Sequence, residues 1–213
     1  MALSKKAKVI VTAFSEETKL GDIKKLGKEI KKDHKLALEL WSQGSHQSRL
    51  LSCLIFDKKL ISESVLDALA ADLIELQEDE RDQLGDWILA NQLTKERKLV
   101  SLMETWQDRT SPVMRRWFWY YQARLRWTGR TPPPENSSDL LHSIESTIGT
   151  ECSEVQWAMN FCAGWIGVFE PKLRPGCVKL GRKLELYKNE RVAKNCTPSY
   201  LPEFIRVEVG KRE

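Results

Sequence analysis

Almost every segment of this 213-residue chain repeats its apolar residues at helical spacing, and no series of strands lies between them. Leu36, Ala37, Leu40 and Trp41 make one apolar face, stopped by Gly44. His46 to Phe56 is a predicted second helix with Leu50, Leu51, Leu54 and Ile55 inward. Ser62 or Ser64 caps a third over Val65 to Leu76, with Leu66, Leu69, Leu73 and Leu76 on one side. Asp86 to Leu93 and Lys95 to Trp106 follow, and a further helix opens at Pro112. Gly129 and Pro132 to Pro134 mark the clearest loop. Ser138 starts the next helix, and Ser153 with Gln156 resembles a capping box ahead of Val155 to Phe169. Pro171 opens a helix to about Tyr187. After a break at Cys196-Thr197-Pro198, Leu201 to Val209 docks as a last short piece. Val9 to Phe14 is β-prone, but one strand makes no sheet. Helices of roughly 8 to 16 residues with short connections predict an all-α solenoid or bundle. The pairs recur at roughly 30 to 45 residues, the spacing of paired-helix repeats. Such an array curves and presents a concave face.

The net charge of +4 hides a pattern. Residues 1–60 carry thirteen Lys/Arg against seven Asp/Glu, and residues 61–108 carry four against twelve. Residues 109–131 carry six basic residues and no acid, and residues 132–213 balance at eleven each. Two basic blocks of this kind suit a polyanion. The alternative is a solvated lysine-rich surface, which fits Lys5 to Lys35 better than it fits the arginines near Arg116. The five cysteines are an odd number without CxxC spacing, so reduced thiols in a cytoplasmic protein are expected. His34, His46 and His142 do not pair with cysteines at ligand spacing, and no metal or cofactor is expected. The lysines near the start precede no long apolar run, so no signal peptide is expected, and no stretch approaches the roughly 20 apolar residues of a membrane span.

Residues 114–127 are the densest chemistry in the chain, with six aromatics and four arginines among fourteen positions. Helical spacing puts Met114, Phe118, Tyr121 and Leu125 on a core stripe. Arg116, Tyr120 and Trp127 share a second face with Arg124 at its edge, and Arg115, Trp119, Gln122 and Arg126 share a third. Arginines beside rings suit a partner rich in phosphate and stacking bases. The alternative is a buried helix whose arginines cap neighbouring carbonyls.

Five segments, in this order and spacing, resemble the DNA alkylation repair family, the AlkD-like alkylpurine DNA glycosylases built of HEAT-like repeats. They are Lys24 to Phe56, Asp86-Trp-Ile-Leu-Ala-Asn-Gln-Leu, Pro112-Val-Met-Arg-Arg-Trp, Val155-Gln-Trp-Ala-Met-Asn-Phe and Cys196-Thr-Pro-Ser-Tyr-Leu-Pro-Glu-Phe-Ile. The resemblance implies an N-terminal extension over 1–20, a HEAT-repeat superhelix over 21–206 and a tail over 207–213. It implies a concave basic surface that holds double-stranded DNA, a monomer, and release of N3- or N7-alkylated purines without metal or cofactor. Residue by residue, it places Trp87 and Trp157 at the family's two site tryptophans and Arg116, with Arg115 beside it, at the site arginine. Asn91 stands where the family has an aspartate, and Asn160 where it has a further arginine. Tyr120 and Arg124 would join the DNA-binding set.

The chemistry says why Asn91 matters. Cleaving the N-glycosidic bond of an alkylated purine builds positive charge on the sugar. Aromatic faces hold the cationic base, and a carboxylate stabilises the developing charge and orients or deprotonates water. Asn91, one turn beyond Trp87, keeps a carbonyl acceptor but no charge. Asp86 and Asp82 share the face of Trp87 less well. Three functions therefore compete: an alkylpurine DNA glycosylase, a non-catalytic nucleic-acid binder of the same fold, and a helical-repeat scaffold for protein. The expectation is a DNA-binding helical repeat with base excision, in which Trp87, Asn91, Trp157 and Arg116 converge on one cleft.

Overall fold

The computed structural model describes residues 3–130, 132 and 134–212, and contains no β-strand among them. Two compact units divide at Trp106 and Gln107.

The first unit contains α1 (Lys5–Ala13), α2 (Leu20–Ile30), α3 (His34–Ser42), α4 (His46–Ile55), α5 (Glu63–Ile74), α6 (Glu78–Asn91) and α7 (Arg97–Met103), with a 3-10 turn over Leu93–Lys95. Four of these helices open on a side chain that accepts a backbone N–H: Ser4, Asp33, Ser45 and Ser62. Gly44, at φ 81°, follows the end of α3. Caps of about 1 kcal/mol do not by themselves hold helices of nine or ten residues. Packing does. α4 meets α2, α3 and α6, and the joint buries Leu36, Leu40, Leu50, Leu51, Ile55, Leu84 and Ile88, each worth about 1.5–3 kcal/mol. Ser52 and Gln92 find backbone partners inside this joint. Ser52 donates to the carbonyls of Ala37 and Ser48, both at 2.9 Å, and the Gln92 amide donates to Cys53 O at 2.7 Å.

The second unit contains α8 (Pro112–Trp127), α9 (Pro134–Thr147), α10 (Ser153–Phe169), α11 (Arg174–Leu184) and α12 (Leu201–Gly210), with a 3-10 turn over Ile148–Thr150. α10 lies at its centre, against α8, α9, α11 and α12. α8 ends in a left-handed cap: Gly129 has φ 73°, its N–H bonds Arg126 O, and the next N–H bonds Leu125 O. α12 approaches through glycines. A Cβ on Gly181 would lie 2.6 Å from Pro202 Cδ and 2.7 Å from Leu201 Cβ, atoms fixed to the backbone of α12. Gly181→Ala should therefore lower stability. Overpacking of about 1–3 kcal/mol outweighs about 1 kcal/mol of helix propensity gained. A thermal melt of the variant at or above the wild-type midpoint would show that α12 yields without cost.

The all-α expectation holds, and its local boundaries shift for physical reasons. Of Val9 to Phe14 only Phe14 is extended; residues 5–13 are α1, because Ala7 and Ile10 bury one helical face against α3. α6 begins at Glu78, not Asp86, since Glu78, Asp79 and Glu80 suit the positive end of a helix dipole. α7 is shorter than Lys95 to Trp106, because the 3-10 turn takes residues 93–95. α9 starts four residues before Ser138, and α11 starts at Arg174, not Pro171, with Pro175 in its first turn. α10 starts at Ser153 behind Cys152, with no side-chain cap, so the capping box is absent. Residues 207–210 continue α12. Of the expected loop over 129–134, Thr131 and Pro133 lie outside the described residues. No helix among the described residues is long and apolar enough to cross a membrane.

Candidate functional site

In the first unit, Trp87 and Asn91 sit one turn apart on α6, both partly exposed. The Asn91 amide is committed to its own helix: Nδ2 donates to Trp87 O at 2.9 Å. That leaves the Asn91 side chain its carbonyl oxygen, an acceptor without charge. Sequence reading missed the next feature. The ammonium of Lys24, an exposed residue of α2, lies 5.4 Å from the centroid of the Trp87 ring. Lys24 and Trp87 come from helices far apart in the chain, and no local spacing signals their meeting. The arrangement places a positive charge on the ring and no carboxylate at position 91.

In the second unit, α8 uses its faces differently from the expectation. The core stripe holds at Met114, Phe118 and Tyr121, which are buried, while its fourth member, Leu125, stays half-buried. The third face is buried too: Trp119, Gln122 and Arg126 are at most 4 % exposed. Arg126 is a core cation. It donates to Gln122 O at 2.7 Å and Ser137 Oγ at 2.6 Å, and its Nε is 3.4 Å from Glu170 Oε1. Arg115 is similarly engaged, donating to Arg109 O at 2.6 Å, Thr110 O at 2.9 Å and Glu151 Oε2 at 2.8 Å. These two arginines act as the carbonyl caps of the alternative reading, and their charges are balanced within the fold.

The second face carries a cluster. Arg116, 4 % exposed, has its guanidinium 4.9 Å from the Trp157 centroid and 5.9 Å from that of Tyr120. Tyr120 also meets Trp157 at 5.9 Å and Phe161 at 5.6 Å. Arg124 lies 5.9 Å from the Trp127 ring. Asn160, 6 % exposed, donates from Nδ2 to Ser199 O at 2.8 Å. The structure thus brings Arg116, Tyr120 and Trp157 together, with Asn160 one helical step from Trp157. Trp87 and Asn91 belong to the other unit.

The aromatic positions of α10 continue past Trp157. Trp157, Phe161, Trp165 and Phe169 recur every four residues, with neighbouring centroids at 4.9, 5.9 and 5.7 Å. This stripe is legible in the sequence as four-residue spacing. Beside it lies a cavity of about 240 Å³ bounded by Trp157, Asn160, Phe161, Trp165, Phe204 and Glu208. Burial alone would raise the Glu208 pKa. Hydrogen bonds from Lys211, Thr197 and Arg212 outweigh it and hold the carboxyl down at about 2. Its charge is neutralised by the Lys211 and Arg212 side chains, each 2.7 Å away. The Cys162 and Cys177 thiols are pushed up to about 12 by burial, which leaves them without thiolate character. Among the described residues no three His, Cys, Asp or Glu side chains gather to hold a metal ion.

Against known structures, the chain resembles one described as belonging to a new family of proteins related to the HEAT-like repeat DNA glycosylases, with affinity for branched DNA structures. The TM-score is 0.71 at 19% identity, over 98% of this chain and 89% of that one. That likeness establishes a HEAT-like repeat fold. No curated protein matches the sequence. The profile of the DNA alkylation repair enzyme family matches residues 18–163, more than half of the length, and the chain belongs to that family.

Proposed function

We propose that this protein binds DNA, branched DNA included, and leaves the N-glycosidic bond of cationic purines intact. One observation carries the second half: Trp87 has Asn91 where excision needs a carboxylate, and the Lys24 ammonium over its ring. Both features have the same sign. An alkylated purine is cationic, and its departure leaves positive charge on the sugar. A second cation about 4 Å away costs about 1 kcal/mol in water and about 4 kcal/mol at an effective dielectric near 20. The site therefore opposes the charge it would have to stabilise. Excision remains the family's chemistry, and the Arg116–Trp157 pair of the second unit suits it, but neither residue supplies negative charge.

DNA as the partner is supported by membership of a DNA repair family, by the branched-DNA affinity of the similar protein, and by the cations of 109–131 that the fold leaves open to solvent. Arg124, half-buried, and Arg130, exposed, are the best phosphate contacts in that block. The test is a titration of labelled duplex and four-way-junction DNA across salt, run beside an assay for release of N7-methylguanine. Binding should weaken by about 0.9 decades per decade of salt for each phosphate contact. Arg124→Gln with Arg130→Gln should lower that slope by roughly two contacts' worth. No base should appear above the protein-free control. Base release by the wild type would overturn the non-excising reading, and failure to bind any of these DNAs would overturn both halves.

A further inference from the structure

We infer that the aromatic surface shared by α8 and α10 is a stacking platform for the unpaired bases of branched or gapped DNA. This rests on DNA being the partner and names the part of it that the second unit reads. The same helix supplies the contrast that separates this surface from core. On α8, Trp117 and Trp119 are 0 % and 2 % exposed, whereas Tyr120 and Trp127 stay partly open. Both open rings lie beside Phe161, at 5.6 and 5.4 Å, and Phe161 stacks on Trp157 at 4.9 Å with 19° between planes. All four rings are partly exposed, on a floor of buried Trp165 and Phe204.

Charge identifies the occupant. The Arg124 guanidinium flanks the Trp127 ring, and Arg130 stands exposed just beyond the end of α8. Glu208, which borders the adjoining cavity, is balanced by Lys211 and Arg212. A ring surface bordered by cations matches a base on a phosphate chain better than an apolar peptide. The cavity beside the rings, about 240 Å³, is below the roughly 300–1,000 Å³ of most ligand pockets, which suits one planar base. A duplex offers such rings only base edges. Faces become available where pairing ends, so the platform should discriminate by unpaired bases and not by charge.

The experiment compares an intact duplex with the same duplex carrying a short single-stranded gap, at equal salt. 2-Aminopurine is placed in the gap of one and at a paired position of the other. Wild-type protein should bind the gapped DNA at least about five-fold more tightly and quench the gap fluorophore in step with binding. Trp127→Leu should remove about five-fold or more of gapped-DNA affinity and leave duplex affinity unchanged. Circular dichroism melts check that the variant folds, and the wild-type quenching stands without it. Equal affinity for the two DNAs with no quenching would overturn the platform while DNA binding survives. Absence of binding to either would overturn the DNA reading itself.

Discussion

Arg126→Leu should destabilise the second unit by about 3–5 kcal/mol. The guanidinium is fully buried, bonds Gln122 O and Ser137 Oγ, and faces Glu170, which also accepts from Ser137. Removing it leaves a carboxylate with little solvent access, 16% exposed, and no opposite charge. Against a typical domain stability of about 5–15 kcal/mol the loss is large. Urea unfolding followed by tryptophan fluorescence reports it, since five of the eight tryptophans lie in residues 107–213. The double variant Arg126→Leu with Glu170→Leu should recover most of the loss, because apolar replacement of a whole buried pair is often neutral or stabilising. A single variant within about 0.5 kcal/mol of wild type would mean that Glu170 finds solvent or another cation. A double variant no better than the single would mean that the packing of Arg126, and not its charge, is what matters.

Arg126 also marks where the sequence stopped being readable. Its position on a helical face was correct, and so was the core stripe of Met114, Phe118 and Tyr121. Periodicity cannot say how many faces of a helix are covered. Burial of Trp119, Gln122 and Arg126 turned a supposed outer face into a second core face. The six-cation block misled in the same way. Its sum was right, but Glu151 and Glu170, distant in sequence, balance Arg115 and Arg126. The fold class was legible because helical spacing is local. The meeting of Arg116 with Trp157 was accessible only through the family resemblance, and the meeting of Lys24 with Trp87 through neither.

Asn91→Asp combined with Lys24→Gln should raise release of N7-methylguanine from duplex DNA by about 10²-fold or more over wild type. The aspartate supplies charge and a base where the leaving purine creates positive charge, and general acid–base groups contribute about 10²–10⁴-fold. The low end is expected, because a cationic purine is already a good leaving group. Removing the ammonium from the Trp87 ring relieves a repulsion of about 1 kcal/mol or more, or roughly five-fold in rate. The single variants apportion the two effects. Asn91→Asp alone should be partly masked, because a carboxylate placed near Lys24 gains an internal partner and lends less charge to the sugar. Lys24→Gln alone should give no more than that roughly five-fold, because Asn91 still donates to Trp87 O and supplies no negative charge. Single-turnover release measured at saturating protein separates chemistry from binding. If the double variant binds duplex as wild type does and releases no more base than the protein-free control, missing negative charge at Trp87 is not what silences excision. The cause would then lie in the Arg116–Trp157 cluster of the second unit, and the non-excising reading would stand on different residues.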